Sequence, residues 1–148
     1  MKKYHGSGGN NKDLDEIKKM IPKILSIEKN NVLEVIDFAE KIGTKKLKKI
    51  PSSKLRKFYD YVNDIEANED TDDWFIEFAF LKPKIAYNIG KDRDIQNELK
   101  YLHNLVEEAI NEIEKAMETN KEEAIKKFNN FKKFFESIVA YHRTVSKN

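Results

Sequence analysis

The chain has 148 residues and a formal net charge of +2, with 28 Lys and Arg against 26 Asp and Glu. This length suffices for one domain with a hydrophobic core, and the near-neutral balance excludes a globally basic nucleic-acid-binding protein. The sequence has no cysteine, which excludes disulfides, thiolate nucleophiles and cysteine metal sites and suits a reducing compartment. Five Gly and three Pro offer few turns, so the composition favours an all-α protein.

The N-terminal segment predicts a disordered tail over residues 1–12, which is polar and contains three glycines. The rest of the chain, residues 13–148, is predicted to form one helical domain. No apolar run follows the two lysines near the start, so we expect no signal peptide. No apolar stretch approaches the ~20 residues that span a bilayer. We therefore expect a cytoplasmic protein that does not contact a membrane.

Two helices are predicted in the first third of the domain. Asp13 can cap a helix whose apolar residues recur at three- and four-residue spacing to about residue 25. Pro22 either bends this helix or starts a second one. A further helix over about residues 32–42 is predicted to end at Gly43, because glycine is common just after a helix C-terminus.

The middle of the chain predicts a basic connector over residues 44–51, a helix and an acidic loop over residues 66–73. Ser52 or Ser53 can cap the helix. Its predicted inward residues are Leu55, Phe58, Tyr59, Val62 and Ile65.

After the acidic loop, Asp72 or Asp73 can cap another helix. We expect Pro83 to bend this helix and Gly90 to end it.

Two longer helices are predicted over about residues 92–117 and 121–145, and we expect them to be antiparallel. Their predicted inward residues are Ile95, Leu99, Leu102, Val106, Ile110 and Ile113 in the first, and Ile125, Phe128, Phe131, Phe135, Ile138 and Val139 in the second. The predicted fold class is therefore all-α: a single helical bundle of five to six helices with a disordered N-terminal tail.

Basic and acidic residues are segregated along the chain. Residues 45–57 hold seven basic and no acidic side chains, whereas residues 66–77 hold six acidic and no basic ones. Lysine clusters can neutralise phosphates and release counterions, although a lysine-rich helical face is often only solvated surface. The three basic clusters are residues 45–57; Lys82, Lys84, Lys91 and Arg93; and Lys126, Lys127, Lys132 and Lys133. Arginine is rare here, and its guanidinium can bind phosphate through two hydrogen bonds or stack on a base.

The chemistry-bearing residues give no catalytic or metal-binding pattern. His103 and Glu107 lie four apart, a spacing that suits a metal, but no second pair supports them. An all-α ribonuclease of the HEPN type needs an arginine followed closely by a histidine, whereas Arg143 follows His142. We therefore expect no enzymatic activity, no metal and no cofactor.

Aromatic residues at helical spacing are more often core than base-stacking surfaces. We therefore expect Trp74, Tyr87 and Tyr141 to be packed in the core, with the Tyr141 hydroxyl at the surface.

Three segments resemble a known family: SSKLRKFYDYV (residues 52–62), LKPKIAYNIGKDR (81–93) and FKKFFESIVAYHR (131–143). They are similar to the small helical subunit of the type III-A CRISPR (Csm) effector complex, and residues 1–50 show no counterpart. The resemblance implies a non-catalytic RNA-binding subunit that stacks in several copies along the guide RNA–target RNA duplex, beside the backbone and large subunits. Carried over by position, it implies RNA contacts by Lys54, Arg56, Lys57, Lys82, Lys84, Lys91, Arg93 and Arg143.

An alternative from another functional class stays open at this point. A helical protein–protein adaptor without nucleic-acid binding could use the acidic loop and the basic connector to recognise its partners. The two hypotheses differ in one observable property, because an adaptor should bind no single-stranded RNA.

Overall fold

A computed structural model describes residues 11–146, and every regular element within that range is helical. Helices α4 and α5 are separated by Phe80 alone, so they form one bent helix. This confirms the predicted all-α bundle of five to six helices. The elements are α1 (Asn11–Leu25), α2 (Val32–Lys41), a π-helical segment (Ile42–Lys46), α3 (Ser52–Asn63), α4 (Asp73–Ala79), α5 (Leu81–Lys91), a 3-10 turn (Arg93–Ile95), α6 (Gln96–Thr119) and α7 (Lys121–Arg143).

The core is built around α7, which packs against α1, α2, α3 and α6. Asn120 alone joins α6 to α7, and its side-chain oxygen accepts a hydrogen bond from the backbone nitrogen of Glu123 at 3.1 Å. The predicted inward residues of both long helices are buried, except Ile125, which is half-buried. Each buried phenylalanine contributes about 1.5–3 kcal/mol through removal of its ring from water. The aromatic residues of this core include Phe78, Phe128, Phe131, Phe134 and Phe135.

The N-terminal boundary differs from the prediction. Residues 11 and 12 already belong to α1, while the rest of the predicted tail lies outside the described residues. Asp13 is therefore in the first turn of α1 and does not cap it. Its carboxylate lies 2.8 Å from the ammonium of Lys46. The helix continues through the exposed Pro22 to Leu25.

Gly43 does not end α2, and that prediction is wrong. The chain continues into the π-helical segment, in which Gly43 is buried against α7. A Cβ atom at this position would lie 2.6 Å from the carbonyl oxygen of Ile138 and 2.9 Å from the backbone nitrogen of His142. Glycine is required here because it lets two backbones approach closely.

The bend between α4 and α5 lies at Phe80, three residues before Pro83. A proline ring clashes with the carbonyl group four residues earlier, which here belongs to Ala79, the last residue of α4. Helix α5 continues past Gly90 to Lys91, so the predicted stop at Gly90 is wrong by one residue.

At the start of α3 the predicted serine cap is wrong. Pro51 occupies the N-cap position, and Ser52 is the first residue of the helix. Within residues 11–146, no helix is long and apolar enough to cross a membrane.

Candidate nucleic-acid interface

Two depressions lie on the surface formed by α3, α4 and α5. The tyrosine groove, of about 730 Å³, is lined by Lys57, Phe58, Tyr61, Glu77, Phe80, Pro83, Lys84, Tyr87 and Asn88. The arginine pocket, of about 560 Å³, is lined by Lys49, Pro51, Lys54, Lys91, Asp92, Arg93, Asp94 and Ile95. Together they carry six basic and three acidic side chains, so this surface is positive although the whole chain is nearly neutral.

Lys54, which lines the arginine pocket, contacts residues of both depressions. Its ammonium donates a hydrogen bond to the side-chain oxygen of Asn88 at 2.9 Å and lies 3.0 Å from the Asp92 carboxylate. Asn88 lines the tyrosine groove, whereas Asp92 lines the arginine pocket. Lys54 therefore joins α3 to the end of α5 and links one lining residue of each depression.

The tyrosine groove combines cations with aromatic rings. The ammonium of Lys84 lies 4.8 Å from the ring centroid of Tyr61, and Lys57 is exposed nearby on α3. The Tyr61 hydroxyl donates a hydrogen bond to the backbone carbonyl of Glu77 at 2.7 Å. Burial, and then the Glu77 carboxylate, raise the pKa of Tyr61 above its ordinary value of 10.0, which is consistent with a hydroxyl that donates its proton to Glu77.

Two aromatic side chains project from the rim of the tyrosine groove. Tyr87 is 69% exposed and Phe80 is 58% exposed. The prediction that Tyr87 belongs to the core is wrong, because the buried face of α5 consists of Leu81, Ile85 and Ile89, at four-residue spacing. Tyr87 falls on the opposite face of the helix. Its ring centroid lies 5.9 Å from the ammonium of Lys91.

The other two aromatic residues predicted to lie in the core, Trp74 and Tyr141, differ in burial. Trp74 is 4% exposed, as predicted for a core residue. Its ring centroid lies 5.1 Å from that of Phe128. Tyr141 is half-buried.

The structure brings five of the eight predicted RNA-contact residues to this surface. Lys57 and Lys84 line the tyrosine groove, while Lys54, Lys91 and Arg93 line the arginine pocket. Sequence reasoning did not select Lys49 or Phe80 as site residues. Lys49 lies in the basic connector, and its charge is the only sequence feature that indicates a role in the site. No sequence feature indicates that Phe80 is exposed, since its exposure follows from the bend before Pro83.

The remaining three predicted residues lie elsewhere. Arg56 and Arg143 are exposed but line neither depression. Lys82 is half-buried, and its ammonium lies 3.2 Å from the carboxylate of Glu107 on α6. This ion pair joins α5 to α6.

The third basic cluster, on α7, contributes to packing. Lys132 donates a hydrogen bond to the backbone carbonyl of Ile65 at 2.7 Å, and Lys127 donates one to the Ser26 hydroxyl at 3.2 Å. Lys126 and Lys133 are exposed.

Among residues 11–146, no group of three or more histidine and acidic side chains could hold a metal ion. His142 is buried beside the backbone of Leu47 and Ile50. Burial lowers the pKa of its imidazole, which the nearby backbone groups only partly oppose. A neutral histidine in the core suits packing between α7 and the turn before α3.

Fold and surface together define a small all-α protein with a localised basic face that carries exposed aromatic rings. A family model described as Csm2 Type III-A matches residues 28–148, and the chain belongs to this family, the small subunit of the type III-A CRISPR Csm complex. The match confirms the resemblance and extends it over residues 28–50, for which the sequence reading found no counterpart. No curated protein and no solved structure matches the chain. Family membership implies assembly with the other Csm subunits, as a structural component.

Proposed function

We propose that this subunit binds single-stranded target RNA through the tyrosine groove and the arginine pocket, without itself catalysing a reaction. Several copies would lie along the guide RNA–target RNA duplex and contact the backbone and large subunits of the complex. One observation carries the proposal. Basic side chains from two separate parts of the sequence, residues 49–57 and 84–93, line two depressions that the hydrogen bond between Lys54 and Asn88 connects.

The proposed mechanism is electrostatic. Each lysine that neutralises an RNA phosphate releases condensed counterions, which gives affinity that depends little on sequence. Arg93 can add a two-pronged contact with one phosphate, because its guanidinium donates two parallel hydrogen bonds. A subunit that binds RNA without sequence preference suits a guide-directed complex, since base pairing with the guide RNA supplies the sequence specificity.

A charge-neutralising double variant tests the proposal. Lys57→Gln with Lys84→Gln removes two exposed ammonium groups from the tyrosine groove. Each lost phosphate contact should weaken binding of a single-stranded RNA roughly fivefold at about 0.1 M salt, so the pair costs about 25-fold. The slope of log affinity against log salt should become shallower by roughly 1.4. Fluorescence anisotropy with a labelled oligouridylate measures both quantities.

The matched control is Lys126→Gln with Lys133→Gln, which removes the same charge from exposed positions of α7 that line neither depression. This control should keep the wild-type salt slope and stay within about threefold in affinity, because only long-range attraction is lost. Equal losses in both double variants would show that net charge, and not this surface, determines binding.

The exposed acidic residues between α3 and α4 favour the adaptor as a second candidate. Glu66, Glu69, Asp70 and Asp73 are all exposed, while Asp72 lies 3.3 Å from Lys121. Such a surface suits a basic protein partner. The same titration separates the two functions, because an adaptor binds no oligouridylate even in low salt.

A further inference from the structure

We propose that Tyr87 and Phe80 stack on nucleobases of the single-stranded RNA, so that the tyrosine groove contacts bases as well as phosphates. The inference rests on the proposed RNA-binding function and adds a distinct subsite to it. Its first support is exposure: Tyr87 and Phe80 keep 69% and 58% of their surfaces accessible to solvent. Single exposed apolar residues are common, but two aromatic rings that line one groove form an apolar patch, and such patches mark binding surfaces.

The second support is the arrangement of the two rings. They lie seven residues apart on the same face of α5 and its N-terminal boundary, which places their backbones about 10 Å from one another. This distance corresponds to roughly three base steps of a stacked strand, at about 3.4 Å each. The two rings can therefore contact different nucleotides of one strand.

The third support is the chemistry around the rings. Lys57 and Lys84 line the same groove, and Lys91 lies beside Tyr87. Non-specific proteins for single-stranded nucleic acid combine a basic groove with stacking rings, because every base has an aromatic face. An apolar protein segment would instead leave these ammonium groups without phosphate partners, so the charges favour RNA as the occupant.

The fourth support is the neighbouring ring of Tyr61. It is held by its hydrogen bond to Glu77 and has Lys84 above it, so it forms a fixed floor to the groove. Lys84 lies between Phe80 and Tyr87 in the sequence, and all three residues line the groove. A phosphate bound at Lys84 would place its adjoining bases toward the two exposed rings.

Substitution of the exposed tyrosine tests the subsite. Tyr87→Leu keeps an apolar side chain but removes the aromatic face, and it should weaken oligouridylate binding at least fivefold. Tyr87→Phe keeps the ring and should stay within twofold of wild type. Ile76→Ala is the matched control, since Ile76 is also exposed, lies one turn before Phe80 and does not line the groove.

A base-free ligand separates stacking from charge. Wild type should bind an abasic ribose-phosphate oligomer of the same length more weakly than it binds oligouridylate. For the abasic oligomer, Tyr87→Leu and wild type should have equal affinities. In a Tyr87→Trp variant, indole emission should change on addition of oligouridylate but not of the abasic oligomer. Trp74 is buried and supplies a constant background.

The outcomes distinguish the subsite from the function on which it rests. The stacking inference fails alone if Tyr87→Leu binds oligouridylate like wild type while Lys57→Gln with Lys84→Gln still weakens binding. Both proposals fail if wild type binds neither ligand. If Tyr87→Leu and Phe80→Leu abolish self-association in sedimentation and leave RNA affinity unchanged, the exposed rings form a contact between copies, and the inference is overturned.

Discussion

Replacement of Gly43 by alanine is a sharp test of the packing between the π-helical segment and α7. The new Cβ would lie 2.6 Å from the Ile138 carbonyl oxygen and 2.9 Å from the His142 backbone nitrogen. Both are backbone atoms of one helix, so neither can rotate away. The clash can be relieved only if the segment and α7 move apart.

The expected loss of stability follows from two opposing effects. Overpacking costs about 1–3 kcal/mol, and two backbone contacts place this site near the upper end. Alanine regains about 1 kcal/mol of helical preference over glycine, which leaves a net loss of about 2 kcal/mol. For a chain of this size each kcal/mol lowers Tm by about 2–4 °C, so Gly43→Ala should melt about 4–8 °C below wild type.

Gly90→Ala supplies the matched control in the same assay, thermal unfolding followed by circular dichroism. Gly90 is exposed within α5, and nothing lies within 4 Å of where its Cβ would be. Helical preference then acts alone and should stabilise the protein by about 0.5–1 kcal/mol. Opposite shifts in Tm are therefore expected. If Gly43→Ala raises Tm as Gly90→Ala does, the close approach of Gly43 to α7 is wrong.

Two further predictions concern a salt bridge and a buried histidine. Lys82→Met should lower the free energy of unfolding by about 1 kcal/mol, because it leaves the half-buried Glu107 without its partner. The RNA affinity of this variant should stay within about twofold of wild type. A large loss of RNA affinity with unchanged Tm would place Lys82 in the RNA site. His142 has a folded pKa below its usual value of 6.5, so the unfolded chain binds more protons. Its contribution to stability is complete above that value and is lost as pH falls toward the folded pKa. The urea midpoint of wild-type unfolding should therefore fall as pH is lowered from about 7.5 to about 5.5, and the midpoint of His142→Phe should fall less. Equal falls in both proteins would assign the effect to other titratable groups.

The hydrophobic pattern was sufficient to predict the long helices. Apolar residues recur every three or four positions from Ile95 to Val139, and this period forces one face of each helix inward. Each of these helices has five or more apolar positions, so one ambiguous residue does not alter which face is predicted to be buried. Ile125 is half-buried because it lies at the edge of the buried stripe of α7, one position after the fully buried Ala124.

Glycine and proline were harder to interpret, because one residue type serves several purposes. Gly43 was predicted as a helix stop but permits a close backbone contact with α7, and only the position of α7 distinguishes the two. Pro83 was correctly predicted to bend its helix. The bend occurs three residues earlier, at Phe80, because the proline ring acts on the preceding turn.

The exposure of Tyr87 shows a related limit. Helix α5 has only three buried positions, Leu81, Ile85 and Ile89, so its apolar face is narrow. Tyr87 lies two positions from both Ile85 and Ile89, which is about 200° around the helix, so its exposure depends on which apolar residues of α5 form the buried face. Helix α5 packs mainly against α6 and leaves Tyr87 exposed on its opposite face, which makes Tyr87 part of the candidate RNA surface.

Lysines present the sharpest difference between sequence and structure. Lys54, Lys82 and Lys84 look alike in the sequence, since each lies beside apolar residues in a basic cluster. Their roles depend on acids far along the chain: Asp92 pairs with Lys54 and Glu107 with Lys82, 38 and 25 residues away. Lys84 instead faces an aromatic ring, which leaves its ammonium group open to a phosphate. A lysine already held by a carboxylate must break that pair before it binds RNA, and therefore contributes less to affinity than one held over a ring. If the proposed function holds, the ion pairs between helices therefore determine which of the basic residues are available to RNA, and this selection is a property of the fold.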